Sequence, residues 1–180
     1  MQNIQGTKIE CLRIELKPLD EETGVPSELL EFSNSDSPSG FHYMILKRKM
    51  NEIVGVISID KFKEMRDSYN VSYMILSEHR GNNYTKEALV FLLENIYGKG
   101  SFIKAKSGKP FRPSNLVVVS SIHNAASKRI ATDLGFTFAS RIKIGGKSHN
   151  IYVLSRDSYY ENQLDYTFMK FEFMEHRQFD

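Results

Sequence analysis

The sequence predicts an α/β or α+β domain in which helices cover both faces of one mixed β-sheet. Three observations support this fold class. Runs rich in β-branched and aromatic residues follow one another in the first half of the chain, later segments carry apolar residues at helical spacing, and residues 116–122 form a nearly continuous apolar run. No internal repeat or boundary divides the 180 residues, so we expect a single domain over residues 1–180.

Strands are predicted where a short apolar or alternating run ends at a turn signal. Met50 and Asn51 separate the arms of a first hairpin, and Gly145 and Gly146 separate the arms of a last one. In chain order, the predicted strands span residues 9–16, 41–49, 52–62, 70–76, 116–122, 137–144 and 149–156.

Three helices are predicted between these strands. The first is short and spans residues 27–32, and the second is amphipathic and spans residues 86–97. The third spans residues 124–136, because Asn124 is a favourable N-cap and Gly135 is a favourable left-handed C-cap.

The stretch SEHRGNNYTKEAL, residues 77–89, joins a predicted strand to the second helix through a short polar turn. The first N–H groups of that helix lack intrahelical partners and carry the positive end of the helix dipole. A turn of this kind is a site for an anion, and phosphate is the usual one.

Composition narrows the classes of function. The formal charge of +2 gives no reason to expect a nucleic acid, and no segment has the apolar length of a signal core or membrane helix. The single cysteine, Cys11, cannot form an internal disulfide. We therefore expect a cytoplasmic protein that binds neither nucleic acid nor membrane. Residues 157–180 are rich in aromatic side chains, which predicts a C-terminal extension that packs on the domain or on a second copy in a homodimer.

Three stretches in order carry a resemblance to a known family. They are VGVISIDKF at residues 54–62, SEHRGNNYTKEAL at residues 77–89 and HNAASKRIATDLGF at residues 123–136. The second is similar to an acyl-CoA loop, Arg/Gln-x-x-Gly-x-Gly/Ala before a helix, and the third to an asparagine-led helix ending in Leu-Gly-Phe. From about Met44 to Arg156 the chain resembles the GCN5-related N-acetyltransferases (GNAT). It looks nearest to the branch that acetylates ribosomal-protein N-termini and small amines.

The resemblance implies a mostly antiparallel sheet whose central strand splays from its neighbour, with acetyl-CoA in the gap. The cofactor would add its pantetheine amides to the exposed strand edge, and its pyrophosphate would lie on the loop amides. No metal is implied. The cofactor-binding residues implied in this way are Met74, Ile75, Leu76, Arg80, Gly81, Asn82, Asn83, Tyr84, Thr85, Lys86 and Asn124.

The implied reaction is direct transfer of an acetyl group from acetyl-CoA to a primary amine, either a small cationic molecule or a protein N-terminus. The amine must lose a proton and the departing thiolate takes one. Ser127 is the candidate acid, because the resemblance places it beside the sulfur; the alternative is that it bonds only backbone. Glu78 and His79 are candidate bases acting through water, or else solvated side chains. Tyr73 and Tyr152 either line the acceptor pocket or belong to the core.

The segment between Pro18 and Leu46 holds six carboxylates and no Lys or Arg. In the family this segment lines the acceptor side of the site. The resemblance therefore implies a cationic acceptor, which the negative field would concentrate.

Four positions depart from the family pattern. Asn83 and Thr85 replace small residues in the loop. Asn70 stands where many members have a glutamate near the acceptor, and Ala131 replaces a tyrosine that often protonates the thiolate. Together these departures support an alternative function, a GNAT-fold protein that binds CoA or regulates without catalysis.

A third hypothesis is nucleic-acid binding through residues 98–114. This segment is basic and contains Phe102 and Phe111, but it has no recognised nucleic-acid motif. We rank it below the other two.

Overall fold

The chain is organised around one eight-stranded sheet with the order β1-β2-β3-β4-β5-β6-β8-β7. A computed structural model describes residues 9–19, 24–33, 40–98, 103–104, 109–162 and 169–170. Six neighbouring strand pairs are antiparallel and only β5 and β6 are parallel, so the predicted mixed, mostly antiparallel sheet is confirmed. The strands are β1 (Ile9–Glu10), β2 (Ile14–Pro18), β3 (Phe41–Lys47), β4 (Glu52–Lys61), β5 (Ser68–Ile75), β6 (Asn115–Ser121), β7 (Thr137–Ile144) and β8 (Lys147–Ser155).

Helices lie on both faces of the sheet, as predicted. Leu29 of α1 packs with Val56 and Leu76 on one face, and the other helices bury their apolar side chains on the opposite face. The α-helices are α1 (Ser27–Ser33), α2 (Tyr84–Tyr97), α3 (Ala125–Asp133) and α4 (Arg156–Glu161), and a 3₁₀ turn spans Ser77–His79. Within the described ranges, no helix is long and apolar enough to span a membrane.

The main core lies between α2 and the centre of the sheet. Leu89, Leu92 and Leu93 of α2 are at most 1% exposed and share a cluster with Ile57 and Val71. Burial of a side chain of this size contributes about 1.5–3 kcal/mol to stability. The stripe of apolar residues in α2 therefore fixes this helix, and with it the loop at its N-terminus, on the sheet.

The N-terminal strand differs from the prediction. Instead of one strand over residues 9–16, the chain reverses at residues 11–13, and Ile9 pairs with Leu16 in an antiparallel register. The reversal is closed by a hydrogen bond from Cys11 N to Ile14 O at 3.1 Å. Because it contains neither glycine nor proline, it leaves no turn signal in the sequence.

The C-terminal region contains a helix that the sequence did not predict. β8 ends at Ser155, whose hydroxyl accepts a hydrogen bond from Ser158 N at 3.1 Å and so caps α4. Tyr159 of α4 is 4% exposed and packs against Tyr97, while Tyr160 donates its hydroxyl to Tyr97 O at 2.9 Å. The first part of the predicted extension thus packs on the domain, and most of its remainder lies outside the described residues.

The basic segment at residues 98–114 is described only in part. Phe111 is 6% exposed and packs against Phe41 and Tyr69, with ring centroids 4.7 Å away in each case. Phe102 lies outside the described residues. Phe111 is therefore a core residue, and it does not present a stacking surface to nucleic acid.

The start of α3 provides a test of capping. Asn124 Oδ1 accepts a hydrogen bond from Ser127 N at 3.0 Å, as predicted. We expect Asn124→Ala to lower the free energy of unfolding by about 1 kcal/mol, measured by urea denaturation. Asn124→Asp keeps a side-chain acceptor and serves as the control, which should retain most of the stability. Equal losses in the two variants would contradict the role of the cap.

Candidate active site

The sheet opens between β5 and β6. These parallel strands pair only through Ser68 with Asn115, Tyr69 with Leu116 and Asn70 with Val117. Beyond this point β5 continues to Ile75 and β6 to Ser121 without pairing to each other. The splayed central strand that the resemblance implied is therefore present, and it leaves a wedge-shaped gap in the middle of the sheet.

The side chain of Asn70 forms hydrogen bonds at the point where β5 and β6 separate. Its Oδ1 accepts a hydrogen bond from Val119 N at 3.3 Å, and its Nδ2 donates to Ser72 Oγ at 2.8 Å. The side chain thus continues the bonding between the strands for one more step, as an amide with both donor and acceptor can. The sequence identified this position only as a departure from the family pattern.

The backbone of β5 presents alternate residues to the gap. Leu76 donates its N–H to Val54 O at 2.9 Å, and Met74 pairs with Val56, so the backbone polar groups of both residues point towards β4. Because peptide groups alternate in direction along a strand, those of Tyr73 and Ile75 point into the gap. Of the three residues expected to bind the cofactor through their backbone, Ile75 therefore directs its peptide groups into the gap, whereas Met74 and Leu76 direct theirs towards β4.

The loop after β5 has the geometry expected of an anion site. Gly81 and Asn83 both have positive φ, 84° and 58°, and α2 begins directly after Asn83. Asparagine tolerates this backbone region better than most residues. The Asn83 side chain makes no capping hydrogen bond, so it leaves the first amides of α2 accessible to another acceptor. The helix starts at Tyr84, two residues earlier than predicted.

Side chains of the loop after β5 and of the first turn of α2 form hydrogen bonds and an ion pair that hold this segment against β5 and α3. Arg80 is exposed and donates from Nε to Ile75 O at 3.2 Å, and Asn82 donates from Nδ2 to His79 O at 3.0 Å. Lys86 Nζ lies 3.4 Å from Asp133 Oδ2, which links α2 to α3. Thr85 is only 7% exposed in the first helical turn.

A buried ion pair lies beneath the loop. Glu87 of α2 is fully buried, and it accepts hydrogen bonds from Arg13 N and Arg13 Nε, each at 2.8 Å. Arg13 also donates from Nη2 to Asn82 O at 3.0 Å, and its guanidinium lies over the Tyr84 ring. Arg13 therefore connects the turn after β1 to the start of α2. Sequence reasoning missed this pair because its members are 74 positions apart.

A basic cleft adjoins the same loop. It has a volume of about 380 Å³ and is lined by Arg13, Lys47, Arg48 and Lys49, with Tyr84 in its wall. Glu87 and Glu52 partly offset the charges of Arg13 and Lys47, and Arg48 and Lys49 add further positive charge near the start of α2. The residues come from the turn after β1, from the end of β3 with the turn that follows it and from the start of α2, so the sequence did not predict this cleft.

Ser127 and Tyr73 come together on the α3 side of the gap. The Ser127 and Tyr73 hydroxyl oxygens lie 2.9 Å apart, whereas the Ser127 N–H is used in the Asn124 cap. Ser127 is 8% exposed. Burial raises the pKa of Tyr73, and its hydrogen bond to Ser127 lowers the pKa by a smaller amount. A phenol from β5 thus reaches the helix that carries Ala131 in place of the family tyrosine.

The other candidate side chains do not join this pair. Tyr152 is 3% exposed within the main core and its hydroxyl accepts from Asn150 Nδ2 at 3.3 Å. Glu78 is fully exposed beyond the end of β5, and hydrogen bonds from its own backbone N–H and from Ser77 lower its pKa, which weakens it as a base. His79 Nε2 lies 3.5 Å from Glu52 Oε1.

Comparison with known proteins agrees with this geometry. Residues 13–137 match the model of the acetyltransferase (GNAT) domain, which is well over half of the chain. The protein therefore belongs to the GNAT acetyltransferase family. No curated protein sequence shows a significant match to the chain.

Solved structures show the same fold at low sequence identity. RimL, a ribosomal alpha-N-protein acetyltransferase in complex with coenzyme A, is 16% identical with a TM-score of 0.61, over 84% of this chain and 99% of that one. A chimera of the spermidine N-acetyltransferase SpeG from Vibrio cholerae and hSSAT is 11% identical with a TM-score of 0.59, over 82% and 98%. A GCN5-related N-acetyltransferase from Brucella melitensis is 10% identical with a TM-score of 0.66, over 89% and 84%.

The buried ion pair predicts a loss of stability that a second substitution repairs. Arg13→Met leaves the Glu87 carboxylate buried without this charge partner, so we expect the free energy of unfolding to fall by about 3–5 kcal/mol. The double variant Arg13→Met/Glu87→Gln removes the buried charge and should recover most of the loss, as measured by urea denaturation. A double variant no more stable than the single one would show that the charge pairing is unimportant.

Proposed function

We propose that the protein is an acetyl-CoA-dependent N-acetyltransferase that transfers the acetyl group to a primary amine by direct attack. One observation carries the proposal. The pairing of β5 with β6 stops at Asn70, and the unpaired edge of β5 leads straight to the amides at the start of α2. An internal strand edge that ends at an anion site matches a ligand with amides at one end and phosphates at the other.

In this proposal the pantetheine arm lies along the edge of β5. It bonds the backbone groups of Tyr73 and Ile75, and Arg80 exchanges its bond to Ile75 O for the pyrophosphate. The phosphates rest on the amides of residues 80–86. Asn124 Oδ1 is already engaged with Ser127 N, so the Asn124 Nδ2 group donates to the cofactor. The basic cleft beside Tyr84 attracts the cofactor through its charge.

The chemical step needs three contributions from the chain. The amine nitrogen attacks the thioester carbonyl carbon, and the Tyr73 N–H stabilises the oxyanion that forms. The carbon–sulfur bond then breaks, and the thiolate takes a proton from the Ser127 hydroxyl, which takes one from the Tyr73 phenol. The surplus proton on the attacking nitrogen is released to solvent, and solvent reprotonates the Tyr73 phenolate. Because burial raises the pKa of Tyr73, its phenol stays protonated at neutral pH and remains a donor.

The acceptor is proposed to be a primary amine, either on a small cationic molecule or at a protein N-terminus. Among solved structures with this fold are proteins named for acting on ribosomal proteins and on spermidine. A reducing, cytoplasmic setting fits the buried, unpaired thiol of Cys11. The alternative of a CoA-binding protein without catalysis loses part of its support, since Asn83 adopts the required backbone conformation and the Tyr73 phenol contacts Ser127 on the helix that carries Ala131.

Cofactor binding is tested at Thr85. A carboxylate at this position would repel the pyrophosphate, so we expect Thr85→Glu to weaken CoA binding tenfold or more in isothermal titration calorimetry. Thr85→Gln has the same size without the charge and serves as the control, which should bind more tightly than Thr85→Glu. A folded Thr85→Glu protein that binds CoA as tightly as Thr85→Gln would place the phosphates elsewhere and overturn the proposal.

The proposed proton relay, which consists of the Ser127 and Tyr73 hydroxyl groups, is tested by removing each hydroxyl. Ser127→Ala should lower kcat by roughly a hundredfold without changing the Kd for acetyl-CoA. Tyr73→Phe should have a similar effect, and the double variant should be little slower than either single one, because both groups act in one relay. Tyr152→Phe removes a core hydroxyl outside the relay and should leave kcat unchanged. An unchanged rate in Ser127→Ala would return this residue to a structural role.

A further inference from the structure

A row of polar side chains crosses the face of the sheet that carries α1. On that face one apolar cluster forms around Val56 and another around Phe62. Paired residues on neighbouring strands direct their side chains to the same face. The pairs between the two clusters are His42 with Ser58, Ser58 with Ser72, and Asp60 with Asn70.

Contacts within the row are polar and close. His42 Nδ1 lies 3.0 Å from Ser58 Oγ, and His42 Nε2 lies 3.6 Å from Asp60 Oδ1. Ser58 is 2% exposed, whereas the side chains of His42 and Asp60 retain 20% and 16% exposure. The buried Ser58 hydroxyl thus orients the imidazole through Nδ1, and the His42 and Asp60 side chains are each partly exposed.

Gly40 closes one side of this pair. A Cβ atom at this position would lie 2.2 Å from Asp60 Oδ1 and 2.7 Å from His42 Nε2. Any side chain here would displace the carboxylate or the imidazole. Glycine is therefore the residue that allows His42 and Asp60 to keep their contact.

The row ends at the gap, on the face opposite the proton relay. Side chains alternate along β5, so Asn70 and Ser72 point away from the face that carries Tyr73 and Ser127. A thioester lying along this edge has the acid on one face and the polar row on the other. An amine that approaches on the face away from the acid meets Asn70 first and then Asp60.

A base on that face must come from the row. The Asn70 amide cannot take a proton, and its two polar atoms already bond Val119 and Ser72. Directly opposed side chains are about 5 Å apart between Cβ atoms, so Asp60 lies one strand from the gap. One water molecule, or the Ser72 hydroxyl, spans the remaining distance to a reacting amine.

We propose that His42 and Asp60 form the acceptor subsite, in which Asp60 binds a protonated primary amine and His42 removes the proton before attack. The inference rests on the proposed acetyltransferase function. An N–H bond of the ammonium group breaks, its proton passes to the imidazole through the Ser72 and Ser58 hydroxyls or an intervening water molecule, and the nitrogen lone pair is released to attack the thioester. The imidazolium then gives the proton to solvent, to which it is exposed. Imidazole suits this step because one ring nitrogen can accept a proton while the other keeps its hydrogen bond. The ligand class is an alkylammonium ion.

Two variants separate binding from deprotonation. The acceptor substrate used in these assays is 1,5-diaminopentane or a tetrapeptide with an unblocked N-terminus, whichever the wild-type protein acetylates faster. Asp60→Asn should raise the acceptor KM tenfold or more, with kcat nearly unchanged. His42→Asn keeps a polar atom near Ser58 but has no basic nitrogen, and it should lower kcat by roughly a hundredfold. Both variants should bind CoA with the wild-type Kd in calorimetry.

A second acceptor tests the role of His42 as a base. Hydroxylamine is already deprotonated at neutral pH, so the His42→Asn protein should acetylate it at close to the wild-type rate. Glu64→Gln removes an exposed carboxylate outside the row and is the matched control for Asp60→Asn. Gly40→Ala retains both groups but separates them, and it should impair both kcat and the acceptor KM.

The outcomes distinguish this inference from the proposed function. If the wild-type protein acetylates an amine and the Asp60→Asn and His42→Asn proteins match it, the subsite is overturned and the acetyltransferase function stands. An equal loss with hydroxylamine in His42→Asn would overturn the role of His42 as a base. If the wild-type protein binds CoA and acetylates no amine, the proposed function fails and the inference fails with it.

Discussion

The early end of the pairing between β5 and β6 is the constraint on which the rest of the site depends. A strand in the middle of a sheet normally has its backbone N–H and C=O groups bonded on both sides, and leaving them unpaired in an apolar setting is costly. Here the Asn70 side chain supplies one more bond at the point of separation. Beyond it, β5 has an unpaired edge inside the sheet, and the proposed pantetheine arm would complete the bonding there.

The same strand also divides the site into two chemical environments. Alternate side chains of β5 point to opposite faces, so Tyr73 meets Ser127 on the α3 side while Asn70 and Ser72 join the polar row on the α1 side. The proposed mechanism needs a proton donor for the leaving group and a proton acceptor for the amine. β5 would separate these two groups, because their side chains lie on opposite faces of the sheet.

The Arg13–Glu87 pair determines the charge beneath the loop that joins β5 to α2. A buried carboxylate in the first turns of α2 interacts favourably with the helix dipole, yet it would repel an anion bound at the helix start. Arg13 offsets its charge at 2.8 Å and at the same time bonds the carbonyl of Asn82 in the loop. The pair thus fixes the loop in position, and it limits the repulsion that the buried carboxylate would exert on the proposed phosphate ligand.

The sequence by itself determined the class of fold, the order of most elements and the local features of the site. Periodicity, the Asn124 cap and the left-handed positions act over a few residues, so they can be recognised in the chain. The tertiary structure alone decided which backbone groups of β5 face the gap, that Tyr73 reaches Ser127, and that Arg13 pairs with Glu87 and His42 with Asp60. These contacts depend on strand register and on the docking of α2, which join residues far apart in sequence and leave no local pattern.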